Sequence, residues 1–332
     1  MTQTSSFQIA PFVGCDLPGL VAAWNESNWA DPITPRRFVN MFLMDVNFDA
    51  KGLLVAKRGG KVVGASYAVH RRHASERDNL DPESGWILFF FTAPSDRGTG
   101  LGRELVGRSI EWLEEKGATS IFFSSYTPNY LLPGLDTHAY PGAAKLLEQF
   151  GFEKQYEAVA MDRLLADYRV PMRQTRDLVR LEAEGYQLAT ATDCDLTEVL
   201  RLAGDHFNPD WERAIREAVV QGMPAENISI VRDPDGTLVG WAMHGTYEGI
   251  VDRFGPFGVL DSQRGKGLGR VLLHHCLTHM KASGAHSAWF LWTGETTAAG
   301  FLYLNEGFAI TRRFSVMKRV SPAATPDVTK EE

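Results

Sequence analysis

The chain has 332 residues, 44% of them hydrophobic and 23% charged, the balance of a globular protein with length enough for two domains. A net charge of −7 without a long basic run weighs against nucleic acid as a partner, because phosphate neutralisation needs clustered Lys and Arg. Cys15, Cys194 and Cys276 are odd in number and widely spaced, with no CxxC pattern, so reduced and buried thiols are expected and no metal. The start, MTQTSSFQIAPF, lacks the charged and apolar regions of a signal peptide, and no apolar run is long enough to span a membrane. A cytoplasmic protein, monomer or homodimer, without a membrane partner is expected.

From Leu53, LLVAKRGGKVVGASYAVH reads as strand, turn and strand, with Gly59–Gly60 at the turn. A strand WILFFFTA follows, a continuous apolar run that suits packing. Next come DRGTGLGR, Asp96 to Arg103, and a helix with Val106, Ile110 and Leu113 on one stripe, ending near Gly117. A strand SIFFSS, the segment YTPNYLLPGLDTHAYPG, a short helix, the pair Gly151–Phe152 and a last strand complete the first half. Residues 165–184 read as a linker, helical after Pro171.

The second half repeats this order. NISIVRD and TLVGWAMHGTY flank the turn DPDG, and DRFGPFGVL leads into QRGKGLGR, Gln263 to Arg270. The helix after it carries Leu268, Leu272, Cys276 and Met280 on one stripe and ends near Gly284. SAWFLW, a short helix and Gly307–Phe308 follow. Gly-Phe trails the turn arginine by 151 − 97 = 54 residues in the first half and 307 − 264 = 43 in the second, so the first half carries an insertion in or near residues 124–142. Repetition over this length means duplicated domains. The expected boundaries are a first module 1–164, a linker 165–184, a second module 185–320 and a disordered tail 321–332.

A strand, a glycine-rich turn and a helix start make an anion site. The first amides of a helix have no intrahelical partner, and glycine lets a phosphate approach the backbone. Arg264, Lys266 and Arg270 add positive charge to the second copy. The spacing is neither that of a dinucleotide-binding fingerprint nor that of a P-loop, which needs Lys-Ser/Thr after its last glycine.

Arg264-Gly265-Lys266-Gly267-Leu268-Gly269 and Arg97-Gly98-Thr99-Gly100-Leu101-Gly102 both resemble the Q/R-x-x-G-x-G/A signature of the GCN5-related N-acetyltransferases (GNAT), and the resemblance covers nearly the whole chain as two tandem modules. It implies an α/β fold, each module a mixed, mostly antiparallel sheet flanked by helices. It also implies acetyl-CoA as acyl donor, its pyrophosphate on the turn amides, and direct attack of a small primary amine on the thioester, so that the protein is an acyltransferase. The strand position that contacts the pantetheine arm is Val259 in the second half and Thr92 in the first. The tyrosine that protonates the departing thiolate in that family, four residues before the glycine of Gly-Phe, is Tyr303 in the second half, whereas the first half has Leu147. An asparagine usual seven residues earlier is Thr296.

The second module is therefore expected to be the catalytic one, with Tyr303 as acid and Glu248 or Asp252 as base, and Glu295 as a further carboxylate facing the acceptor. Two alternatives stay open: the first module as the active one, and a non-catalytic acyl-CoA sensor. In the first module the insertion offers Asp136 for an ammonium or sugar hydroxyls, and Tyr126 or Tyr130 in place of the missing acid. It resembles a loop of bacterial tandem acetyltransferases linked to amino sugars. His275 and His279 stand at i, i+4 but lack a third ligand, so zinc is not expected.

Overall fold

A computed structural model describes residues 7–74, 80–127 and 129–321. The chain forms β1 (Gln8–Pro11), α1 (Leu17–Ser27), α2 (Pro35–Phe38), β2 (Leu53–Arg58), β3 (Lys61–His70), β4 (Ser84–Thr92), α3 (Leu101–Glu115), β5 (Ser120–Phe123) and α4 (Pro141–Gln149). It continues with β6 (Glu153–Leu164), α5 (Met172–Ala183), β7 (Gln187–Thr190), α6 (Leu196–His206), α7 (Pro209–Val220), β8 (Ile228–Arg232) and β9 (Leu238–His244). The last elements are β10 (Phe254–Val259), α8 (Leu268–Ala282), β11 (Ser287–Thr293), α9 (Ala298–Asn305) and β12 (Ala309–Val320).

Two compact units result. Among the described residues the first holds 7–74, 80–127, 129–157 and 314–321, and the second holds Ala158–Arg313. In the first unit β1 to β4 are antiparallel neighbours, β5 runs parallel to β4, and β12 pairs with β5 through Met317↔Phe123 to Val320↔Ser120. In the second, β7 to β10 are antiparallel, and β11 pairs with β6 through Ser287↔Leu164 to Thr293↔Val159. Each half of the sequence thus lends its last strand to the other unit. The boundaries 1–164 and 185–320 are corrected accordingly. The edge strands β5 and β11 each need a hydrogen-bonding neighbour, and a repeated sequence does not say which copy supplies it.

Residues 165–184 are also more than a connection. Within them α5 begins after Pro171, as expected, and buries Leu181 with Leu272 and Met280 of α8 in one apolar cluster of the second unit. The tail lies, apart from Ser321, outside the described residues.

The cores follow the sheet faces. In the first unit Trp24, Phe38 and Phe42 from the N-terminal helical segment meet Tyr67, Phe89 and Phe91 on one face. Ile87, Val106, Ile110, Leu113 and Leu147 fill the other. WILFFFTA is thus buried on both sides, which explains its lack of alternation. Each such side chain contributes roughly 1.5–3 kcal/mol relative to exposure. Cys276 is buried as expected, whereas Cys15 and Cys194 are exposed. Among the described residues no helix is long and apolar enough to cross a membrane.

Candidate active site

The two glycine turns have the same backbone. Gly100 precedes α3 at φ +90° and Gly267 precedes α8 at φ +93°, a left-handed conformation that L side chains adopt only with strain. Each helix therefore opens with unpaired amides behind a glycine.

Their surroundings differ. At Gly98 and Gly100 nothing lies within 4 Å of where a Cβ would stand, so the backbone of the first turn is open to a phosphate. Arg97 holds the turn by donating to the carbonyl of Ser27 at 3.1 Å, and the Thr99 hydroxyl donates to the carbonyl of Asp96 at 2.7 Å. The first turn fits a pyrophosphate. In the second turn Gly265 is equally open, but at Gly267 a Cβ would stand 3.5 Å from Arg180 Nη2 and 3.7 Å from the Asp177 carboxylate, both on α5. Arg180 donates to the carbonyl of Lys266 at 2.5 Å. The cations offered by the sequence are engaged as well. Arg264 pairs with Asp261 at 2.6 Å, and Lys266 donates to Tyr186 and Gln263, each at 2.6 Å. Arg270 bridges Asp177 at 2.9 Å and Glu306 at 2.6 Å. Burial opposes the charge on Glu306, but Arg270 and His274 outweigh it and hold the carboxyl below its ordinary value.

Beside each turn the sheet opens. β4 and β5 pair from Ser84↔Ser120 to Ile87↔Phe123, then Ser124 and Ser125 take positive φ and the chain turns away. The edge of β4 beyond Ile87 is left without that neighbour. Opposite β3, Tyr67 faces Phe89 and Ala68 faces Ile87, so Leu88 is a bulge where the opening begins. In the second unit β10 and β11 are not paired along their length; a parallel bridge, Arg253↔Trp289, joins them just before β10.

Two α/β modules, each with an anion-binding turn beside an opening between parallel strands, are a recognisable arrangement. The profile of the acetyltransferase (GNAT) family matches the chain twice, over residues 21–131 and 196–308. The chain belongs to the GNAT family. No curated relative matches the sequence. Among solved structures it is similar to the GCN5-related glucosamine N-acetyltransferase region of a fungal multi-domain GH3 beta-N-acetylglucosaminidase, with 20% identity and a TM-score of 0.77, over 95% of this chain. The chain spans only 38% of that fungal protein. It is also similar to a GCN5-related N-acetyltransferase from Sphaerobacter thermophilus, with 17% identity and a TM-score of 0.67, over 96% of this chain and 98% of that one. A tandem GNAT protein from the clavulanic acid biosynthesis pathway shares 18% identity and a TM-score of 0.61, over 96% and 100%. At these identities the likenesses establish the fold: two GNAT modules, mostly antiparallel.

Within this GNAT chain the carboxylates expected in the second module have structural partners. Asp252 accepts from the amides of His286 at 3.2 Å and Ser287 at 3.0 Å and from the Ser287 hydroxyl at 3.2 Å, which fixes the start of β11. Glu248 pairs at 3.3 Å with Arg253, a buried guanidinium stacked over Tyr247 and Trp289. Glu295 pairs with Arg313 at 2.6 Å. Tyr303 is buried among Phe254, Phe257, Phe290 and Phe308, with ring centroids 4.5–6.1 Å away, and burial pushes its phenol up. Val259 and Thr92 both lie where the strands run into their turns, half-buried.

In the first module Tyr126 is fully buried; it donates to Asp45 at 3.1 Å and accepts from Asn47 at 3.0 Å. Burial, then the charge of Asp45, raises its phenol. Tyr130 is also buried. Asp136 accepts from the amides of His138 at 3.1 Å and Ala139 at 2.9 Å, so it shapes its own loop. His244 is buried and bonded to His279 at 3.0 Å. Among the described residues no group of three or more metal-ligating side chains is placed to hold an ion. Asp177 and Arg180 were invisible to motif spacing because they lie in the segment between the repeats.

Proposed function

We propose that the protein is an acetyl-CoA-dependent N-acetyltransferase acting on a small primary amine, with the acyl donor seated at the first turn, Arg97 to Gly102. What supports it is a contrast at the second glycine of each turn: Gly100 is open, as are Gly98 and Gly265, while a Cβ at Gly267 would stand 3.5 Å from Arg180 and 3.7 Å from Asp177. In the first module the amides that open α3 hold the pyrophosphate, and the glycines let it approach. The donor, when bound, supplies an activated thioester. The backbone at the Leu88 bulge is placed at the mouth of the opening, where an N–H can stabilise the developing oxyanion. Arg97 keeps the turn in place through Ser27.

An amino sugar is the acceptor we favour, in keeping with the glucosamine N-acetyltransferase region of the fungal relative and with the acidic balance of the chain. The second module serves as structure, with its strand β6 supplied by the first half of the sequence.

Gly100→Trp and Gly267→Trp test this. Both positions hold the same left-handed backbone, so the conformational penalty of about 1–2 kcal/mol is shared. Acetyl transfer from acetyl-CoA to a panel of glucosamine, amino acids and polyamines should vanish in Gly100→Trp and persist in Gly267→Trp. Loss confined to Gly267→Trp would assign the chemistry to the second module.

A further inference from the structure

We propose that Asp31 and Tyr140 are the proton-handling pair of the first module, joined across the open edge of β4. The proposal rests on the donor site being at the first turn. The position that holds the acid in the family resemblance, Leu147, is a fully buried apolar residue here, so the pair comes from elsewhere in the fold.

The two groups come from opposite faces of the sheet. Asp31 follows α1. Its carbonyl accepts from the Trp24 indole at 2.7 Å, and the Trp24 ring packs on Phe89 at 4.8 Å and Phe91 at 5.6 Å, on the stretch of β4 that β5 has left. Tyr140 precedes α4 and packs with Phe90, Leu146 and Leu147 on the other face. Yet the Tyr140 hydroxyl donates to Asp31 Oδ2 at 2.6 Å. We place this bond, between side chains of segments that pack on the two faces, at the stretch of β4 that has no β5 neighbour, beside the donor turn. The same loop is tied to the turn itself, since Arg97 holds Ser27, four residues before Asp31.

Both groups are held before any ligand arrives. Asn25 accepts from the amide of Ile33 at 2.8 Å and donates to its carbonyl at 3.0 Å, which closes the loop around Asp31. The amide of Tyr140 donates to the Asp136 carbonyl at 2.9 Å, and the Asp136 carboxylate holds His138 and Ala139 between them. Asp136, expected to bind substrate, is therefore a positioning residue for Tyr140. Asp31 and Tyr140 are both half-buried, so a substrate can reach them, unlike the fully buried Tyr126. Tyr140 stands seven residues before Leu147, the register at which Thr296 precedes Tyr303 in the second half.

The proton balance is as follows. Asp31 takes one proton from the acceptor ammonium, giving a free amine. The amine nitrogen bonds to the thioester carbonyl carbon, and the carbon–sulfur bond breaks. Tyr140 gives its phenolic proton to the departing sulfur and recovers one from the nitrogen as it becomes an amide. Asp31 releases its proton to water. The ammonium has then lost two protons, one to the thiol and one to solvent.

The test uses the full chain, acetyl-CoA and the same amine panel, reading free thiol over a range of pH. Tyr140→Phe keeps the ring packing. It should lower kcat by about 100-fold or more, the usual worth of a positioned acid or base, without raising KM for acetyl-CoA. Asp31→Asn should lower kcat/KM for the amine and remove the fall in rate on the acidic side. Wild-type transfer that Tyr140→Phe leaves unchanged in rate and pH profile would overturn the pair and leave the donor site standing. Acetyl-CoA binding without transfer to any amine would overturn the pair together with the proposed transferase activity.

Discussion

His244 makes acid stability a property of the second unit. Its ring is buried on β9, with Nδ1 bonded to the Val251 carbonyl at 3.0 Å and Nε2 to His279 at 3.0 Å. Burial, against the pull of the Val251 carbonyl, lowers its pKa from 6.5 to about 4, and His279 adds to the lowering. A base with a depressed folded pKa is protonated first in the unfolded chain. Stability is therefore whole above pH 6.5 and is lost as pH falls from there toward 4. The full shift corresponds to about 3 kcal/mol, and about 2 kcal/mol of it is lost between pH 7 and pH 5. His274 and His275 are lowered by burial too and act in the same direction. Hydrogen exchange of β9 amides at pH 7 and pH 5 reads the opening free energy of this unit, with β3 as the reference in the other. His244→Gln, which keeps a donor and an acceptor but does not titrate, should reduce the drop in β9 by about 2 kcal/mol. An equal drop in wild type and variant would refute the assignment.

Two further outcomes separate structure from chemistry in the second unit. Tyr303→Phe retains the ring cluster with Phe290 and Phe257 and should leave kcat for acetyl transfer unchanged; a large fall would return the acid role to Tyr303. Asp252→Ala removes the acceptor of the His286 and Ser287 amides and should cost roughly 1–3 kcal/mol in thermal or denaturant unfolding, with transfer rate retained.

The modules themselves were legible in the residues. Short apolar runs, helix stripes and the repeated R-G-x-G-x-G placed β4–α3 and β10–α8 correctly, because local propensity and burial agree there. The exchange of β6 and β12 was not legible. Both strands suit either edge, and only the geometry of Glu153–Leu164 and Ala309–Val320 decides between them. Site residues divided in the same way. Backbone-driven features such as Gly100 and Gly267 announce themselves, since left-handed φ favours glycine. Side-chain partners do not. Nothing in the register of Tyr303 foretells its four phenylalanine neighbours, and nothing in the spacing of Asp177 foretells that it lies against Gly267. Asp31 and Tyr140 are 109 positions apart, and only the fold brings them together.

The number of acetyl-CoA molecules bound, and the turn that binds them, bears most directly on the proposed donor site. Titration calorimetry on the full chain should give one equivalent for the wild type, none for Gly100→Trp and one for Gly267→Trp. An equivalent retained in Gly100→Trp and lost in Gly267→Trp would contradict a donor seat at the first turn.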